Sequence, residues 1–423
     1  MELKQKIIVL TAAAVTIAYI VTTSYLPSFP YLFFVNADTN NIYEKFFSQF
    51  TSLISPSSNG ENDNKVLDNT FQNKSAPEFK KTGDGINAVN INNGQPISMT
   101  GLKGKVVLVN FWTYSCINVL RTVPHLIEWN AKYGGDKGLV IVAVHTPEFE
   151  FEKNTDFVKT SLQKYGIKYP VIQDNDYKIW KSYGNNYWPR MYLVDDQGFI
   201  RYDKTGEGDY NQTEKVIQSL LAERNSSQGI KNTDNKNATA LPYENKSQFN
   251  PTNSIGRFLE QPVDFSKIKT PELYFGNQGS NSAIGNSGGV FEPGQTVTYN
   301  LPSTTTSNSS LQPNTIYLEG KWKNNHDNLE LQSDSGRIIL IYSAQYVNLV
   351  AGGTGQGVVH EDNSLLPKYS KGEDTSNINS KFIIDYPRLY NIVNHQSYGN
   401  ESFHSLVIDV KGKGFQAYTF TFG

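Results

Sequence analysis

Hydrophobic residues follow two different rhythms along this chain, and the change between them divides it. KVVLVNFW (105–112) and GLVIVAVHT (138–146) are nearly unbroken β-branched runs, the pattern of strands buried on both faces. From Ile117 the spacing turns helical, with Leu120, Val123, Leu126, Ile127 and Trp129 on one side, and TDFVKTSLQKYG (155–166) repeats the pattern. YPVIQD, RMYLVD and FIRYDKTG then read as strands and QTEKVIQSLLAE (212–223) as a closing helix. This order predicts an α/β fold around a short central sheet. From about residue 255 the period becomes two: QTVTYNLP, TIYLEGKWK, NLELQS, GRIILIYSAQYVNLVAG, KFIIDYPRLYNIV, HSLVIDVKG and FQAYTFTFG, separated by Gly, Asn, Ser and Asp. That series predicts an all-β sandwich, jelly-roll-like, with GGTGQG (352–357) as a turn.

Polar stretches set the boundaries. Residues 35–75 and 225–254 are poor in aliphatic side chains and read as flexible linkers around an α/β domain at 76–224 and a β domain at 255–423. Residues 1–34 contain Lys4 and Lys6 followed by an uncharged apolar run, Ile7–Leu26. As a helix its 20 residues reach about 30 Å, the thickness of a bilayer core. It has no small-residue cleavage site, so it reads as an uncleaved signal anchor. The two lysines place the N-terminus inside and the bulk of the chain outside, giving a single-pass, extracytoplasmic protein.

Composition narrows the function classes. A net charge of −2 with 18% charged residues gives no electrostatic case for nucleic acid. The single cysteine, Cys116, excludes an intrachain disulfide. It follows a buried strand at the first turn of a helix, where unpaired N–H groups and the helix dipole favour a thiolate. Dithiol exchange needs one thiolate to attack and a second cysteine to release the mixed disulfide. In FWTYSCINVLR that second position, three residues on, is Val119. Three outcomes follow: an external thiol resolves the intermediate, the site captures partners without releasing them, or it has no redox role and the cysteine is a small hydrophobe in packing or part of a non-catalytic binding protein. Thr113, three residues before Cys116, also allows a one-cysteine peroxidase whose sulfenic acid is reduced from outside.

The stretch WTYSCINVLRTVPHL resembles the WTYSCINC-type active site of the thioredoxin-like domain in the DipZ family, related to the TlpA and ResA redoxins. The resemblance implies that Cys116 attacks and Val119 holds the resolving position. Trp112 would be the aromatic before the motif and Pro124 the helix-kinking proline. YWPRMYLVD resembles the cis-proline loop, with Pro189 facing the cysteine, and GEGDYNQTE (206–214) the turn before the last helix. TPELYFG, YPRLYNIV and AYTFTFG resemble markers of the carbohydrate-binding-module-like sandwich that follows in that family. The likeness runs from Ala76 to Gly423; one apolar segment stands where the family has a multi-span electron-transporting domain.

Other residues carry weaker signals. Arg121 either stabilises a thiolate or is a solvated helix residue, and the second is expected. Glu148, Glu150 and Glu152 after His145 offer carboxylates without a firm ligand spacing. They read as an exposed loop, and neither a metal nor a cofactor is expected. Trp322, Tyr342, Tyr346 and Tyr390 are the candidate sugar-stacking platform, although rings at strand spacing equally fit a core. The expected partners are protein thiols or disulfides outside the membrane, an external thiol reductant and, if the platform exists, a glycan.

Overall fold

β-Branched and aromatic side chains build the first sheet. Strand β3 (Val106–Trp112) is buried along its whole length, and its residues alternate between two cores. Val106, Leu108 and Trp112 join a cluster with Leu126, Trp129, Val158 and Leu220, while Val107, Val109 and Phe111 join Ile179, Trp180 and Tyr192. Two packed faces explain why this strand is an unbroken apolar run. The computed structural model describes residues 74–79, 89–230, 263–276, 284–286, 292–301, 311–395 and 402–423. The expected anchor and most of both linkers lie outside them. Among the described residues no helix is long and apolar enough to cross a membrane.

The α/β part comprises β1 (Val89–Asn90), β2 (Gln95–Pro96), β3, β4 (Leu139–His145), β5 (Val171–Gln173), β6 (Arg190–Val194) and β7 (Ile200–Thr205). They form one sheet in the order β2-β1-β5-β4-β3-β6-β7. Strand β4 runs parallel to β3 and β5, and β6 runs antiparallel to β3 and β7. The helices are α1 (Ile117–Leu120), α2 (Val123–Tyr133), α3 (Thr155–Lys164), α4 (Lys178–Ser182) and α5 (Tyr210–Ser227). The helical run expected from Ile117 is therefore divided at Arg121–Thr122. Pro124 falls in the first turn of α2, where its missing N–H has no intrahelical partner to lose. Helix α5 continues to Ser227, past the boundary expected at 224.

The C-terminal part is a large curled all-β sheet. Its strands are β8 (Leu273–Tyr274), β9 (Thr296–Tyr299), β10 (Ile316–Asn324), β11 (Leu329–Leu331), β12 (Ser335–Tyr342), β13 (Tyr346–Gly353), β14 (Gln356–Glu361), β15 (Ser364–Leu365), β16 (Lys381–Ile383), β17 (Arg388–Asn394), β18 (His404–Lys411) and β19 (Phe415–Phe422). The main path is β15-β14-β18-β12-β10-β11-β19-β13-β17. Strand β10 turns the corner: Ile316–Glu319 pair with β12, whereas Gly320–Lys323 pair with β9. Gly320 has φ +103, and a Cβ there would lie 3.1 Å from Gly336 Cα, so glycine suits both the backbone and the space. The two arms enclose one core that includes Leu318, Trp322, Leu340, Leu349, Ile408 and Phe420.

Two sequence expectations change here. The segment GGTGQG overlaps the end of β13 and the start of β14, so it is not only a turn. Gly357 is a strand residue pressed under Phe382, where a Cβ would sit 2.4 Å from the ring. The sugar platform is also corrected. Trp322, Tyr342 and Tyr390 have 0% exposure and Tyr346 7%, so none offers a ring face to solvent. Their strand spacing points them inward, where each large ring fills core volume. Trp322 Nε1 donates to Glu319 O at 3.0 Å, and Tyr390 Oη donates to Asp385 Oδ1 at 2.6 Å beneath the Arg388 guanidinium.

The β domain packs directly on the loop after β4. Tyr418 of β19 meets Phe149 and Phe151, with ring centroids 5.2 Å and 4.7 Å apart. Val350, Leu389 and Tyr418 belong to the same buried cluster as α2 and α5. Glu150 N donates to Asp327 Oδ2 at 2.9 Å across this joint.

Candidate active site

Cys116 is the N-cap of α1, with φ −85 and ψ 119, and the short link Thr113–Ser115 joins it to the end of β3 at Trp112. Its backbone carbonyl accepts from Leu120 N at 3.0 Å, which starts the helix. The residue keeps part of its surface in contact with solvent. Even so, the thiol is pushed well above its ordinary value. Burial is the largest cause, followed by the charges of Glu148 and Glu272, while the Val119 and Asn118 N–H groups pull in the opposite direction. The thiolate expected from the helix start is therefore corrected. A helix of one turn supplies little dipole, and burial, reinforced by the carboxylates around it, outweighs what it supplies.

Those carboxylates come from places the sequence did not connect. The expected exposed loop Glu148–Glu152 is covered by the β domain. Glu152 has 0% exposure and accepts from Ser115 Oγ at 2.6 Å, Glu148 N at 2.6 Å and Phe149 N at 3.1 Å. Glu148 accepts from Tyr274 Oη of β8 at 2.7 Å. Only Glu150 remains exposed, paired with Lys153 at 2.6 Å. Burial, then the charges of Glu272 and Glu152, push the Glu148 carboxyl up. Glu272 is pushed up as well, by burial. It keeps exposed surface, so solvent screening weakens its push relative to that on Glu148. Glu272 and Tyr274 both lie in TPELYFG, which therefore supplies part of the site rather than a marker of the second domain alone.

The other expected residues are brought together in part. Trp112 (1% exposed) packs edge-on against His145, and Thr113 and Val119 have 0% exposure. Desolvation lowers His145 to about 3, so this ring is neutral at physiological pH. The Trp188–Pro189 peptide is cis, at the start of β6. Pro189 O accepts from Gly206 N at 2.9 Å, which ties the proline loop to the turn GEGDYNQTE. From the same turn, Glu207 receives both Nε (2.8 Å) and Nη2 (2.7 Å) of Arg121. Arg121 is thus corrected from a solvated residue to a buried one, 6% exposed, whose fork is committed to Glu207 and Asn118. Arg121→Ala would leave the half-buried Glu207 without its cation. It should destabilise the chain by about 3 kcal/mol in urea unfolding, and Arg121→Lys should recover only part of this because a lysine cannot bond bidentately. Cys116 reactivity should follow stability rather than change by itself.

Beside α1 lies an open groove of about 390 Å³. Asn118 forms one edge, and Ile268, Lys269, Thr270, Glu272 and Phe422 of the β domain form the rest. Two hydrogen bonds fix this wall to the β domain: Lys269 N to Ser343 O at 3.1 Å and Ser343 N to Thr270 Oγ1 at 2.8 Å.

A β3-α-β4-α sheet with antiparallel β6 and β7, a cysteine at the first helix start and a cis-proline loop define a thioredoxin-like protein with a single cysteine at the motif position. The family model described as Redoxin matches residues 71–221, and the one described as Thioredoxin like C-terminal domain matches 270–423. Protein DipZ of Mycobacterium tuberculosis (strain CDC 1551 / Oshkosh) is 33% identical over 350 residues, covering 82% of this chain and 43% of its own length. Thiol-disulfide oxidoreductase ResA of Bacillus thuringiensis (strain Al Hakam) is 32% identical over 127 residues, 30% of this chain and 70% of its own. Thiol-disulfide oxidoreductase YkuV of Bacillus subtilis (strain 168) is 29% identical over 119 residues, 28% of this chain and 79% of its own. The chain belongs to the DipZ-like branch of the thioredoxin-like redoxins. It spans less than half the length of the DipZ proteins it matches.

Proposed function

We propose that the chain carries out monothiol thiol–disulfide exchange through Cys116, on protein disulfides outside the membrane, with an external thiol resolving the intermediate. The observation that carries this reading is the cysteine at the start of α1, the helix whose Asn118 edges a groove otherwise walled by the β domain. In the forward step the Cys116 sulfur attacks one sulfur of a substrate disulfide. A Cys116–substrate disulfide forms, the substrate S–S bond breaks, and the departing sulfur leaves as a thiol or thiolate. A second, external thiol then attacks the Cys116–substrate bond and restores the free cysteine, becoming itself joined to the substrate sulfur.

The raised thiol pKa sets how the attack begins. The proton on Cys116 must go to a base, and ionised Glu148 or Glu272 can receive it as the new S–S bond forms. The apolar run Ile7–Leu26 would hold the domains at the outer surface of a membrane. The thioredoxin-like relatives named as thiol-disulfide oxidoreductases support the redox class of this reading.

One observation favours a second reading. A half-buried thiol whose pKa is raised, beside buried Val119, suits a binding module that uses the groove without chemistry. Non-reducing electrophoresis after rapid acid quenching and thiol alkylation separates the two. Exchange predicts disulfide-linked adducts that disappear on adding dithiothreitol and in Cys116→Ser. If partners co-purify equally well with Cys116→Ser and no adduct forms, the binding reading stands and exchange falls.

A further inference from the structure

A second group of chemically able side chains lies away from Cys116, where three strand ends of the β domain meet. Glu361 closes β14 and Asp362 opens the turn to β15, His395 follows β17, and His404 begins β18. We propose that Glu361, Asp362 and His404, with His395 beside them, bind one divalent cation of the Zn²⁺ class.

The donor atoms are already gathered. A carboxylate oxygen of Glu361, one of Asp362 and a ring nitrogen of His404 lie within 4.8 Å of one another. His395 Nε2 is 3.2 Å from Glu361 Oε1, close to the edge of about 3.3 Å in a tetrahedron with bonds of about 2.0 Å. Asp362 Oδ2 lies 2.8 Å from His404 Nδ1, so a small displacement lets a cation take the place of that hydrogen bond.

Outer contacts hold the donors in place. Tyr342 Oη donates to Glu361 Oε1, Ser405 N donates to Asp362 Oδ1 at 2.9 Å, and Ser370 Oγ lies 3.1 Å from His395 Nδ1. The last contact leaves His395 Nε2 directed at Glu361. Such orienting contacts accompany metal-binding imidazoles and carboxylates.

Charge favours the same conclusion. Glu361 is 8% exposed and stands next to a second carboxylate. Among the described residues the ion-pair partners of Glu361 and Asp362 are histidines, with no Lys or Arg. A dication balances both carboxylates at any pH where the imidazoles are neutral. Two imidazoles with two carboxylates favour zinc and its neighbours over magnesium or calcium, which prefer oxygen alone. Sequence spacing does not announce this group, because the adjacent Glu361 and Asp362, His395 and His404 come from three separate strand ends. The site is independent of the exchange reading, although the ring of Tyr342 stacks on the groove residue Phe422 at 6.2 Å.

The test is a titration of the untagged full chain, stripped with chelator, with Zn²⁺ against a chromophoric indicator. One equivalent should bind at micromolar or tighter affinity and remain in Cys116→Ser, which removes the thiol as a competing ligand. Affinity should fall at least about tenfold in His404→Ala and in Asp362→Asn. X-ray absorption of the parent complex should show nitrogen and oxygen neighbours including imidazole, and this reading stands even if a variant fails to fold. No stoichiometric uptake, a sulfur neighbour, or binding lost in Cys116→Ser and kept in His404→Ala would each overturn the site.

Discussion

Val119→Cys should convert the chain into a dithiol reductase. Val119 lies one helical turn beyond Cys116 in α1 and has 0% exposure, enclosed as a resolving thiol would be. A cysteine side chain is smaller than the valine it replaces, so the core accepts it at a cost of about 1 kcal/mol. With a sulfur there, the mixed disulfide on Cys116 is displaced from within, and turnover no longer waits for an external thiol. Reduction of insulin disulfides, followed by turbidity with dithiothreitol as the electron source, should rise at least about tenfold over the parent, equivalent to about 1.4 kcal/mol in barrier height. Cys116→Ser in the Val119→Cys background should return it to background. If Val119→Cys folds and stays inactive while Cys116 remains alkylatable, the groove or the proline loop does not admit a disulfide. The exchange reading would then lose its geometric support.

The second large effect concerns Glu148. Its carboxyl is pushed up to about 8 from an ordinary 4.5 by burial and by the neighbouring carboxylates. The folded chain therefore holds a proton that the unfolded chain releases. The associated stability is fully present below about 4.5 and is lost as pH rises through about 8. Over that window it falls with a slope of up to about 1.4 kcal/mol per pH unit for one group. Glu148→Gln keeps an oxygen for Tyr274 Oη and removes the titration. Its melting temperature should match the parent near pH 5 and exceed it near pH 9. Thiol chemistry should respond in the same variant. Glu148 is the first charge acting against the Cys116 thiolate, and it is ionised only as pH rises through about 8, so its removal should give about tenfold more thiolate above that pH and little change below it. Iodoacetamide rates from pH 6 to 10 read this directly. An unchanged alkylation profile would mean that burial alone sets the thiol. Exchange at pH 8 and above would nonetheless slow if Glu148 accepts the proton, and that separates its two roles.

Local order made much of the molecule legible. Unbroken apolar runs gave β3 and β4, because burial on both faces leaves no polar alternate. The 3.6-residue spacing gave the helices around Cys116, and period-two stretches gave most strands of the second domain. The motif residues were equally readable: Cys116 at a helix start, Val119 in place of a second cysteine and Pro189 just before a strand, whose cis peptide the structure supplies. What misled was the environment. HTPEFEFEK has the polarity of a surface loop, and nothing in its own residues announces that Tyr418, Tyr274 and Asp327, more than a hundred residues away, will cover it. Trp322, Tyr342 and Tyr390 could be platform or core until the curl of the sheet turned them inward.

The sequence by itself determined the α/β fold of the first part, the all-β class of the second and the absence of a second cysteine at position 119, since these depend on residue type and spacing along the backbone. The tertiary structure decided the protonation of Cys116, the burial of Glu148 and Glu152, the pairing of Arg121 with Glu207 and the meeting of Glu361, Asp362, His395 and His404. Each of these depends on how much water and how many charges lie within a few ångströms. Those neighbours come from strands and loops far apart in the chain, so only the packed molecule fixes them.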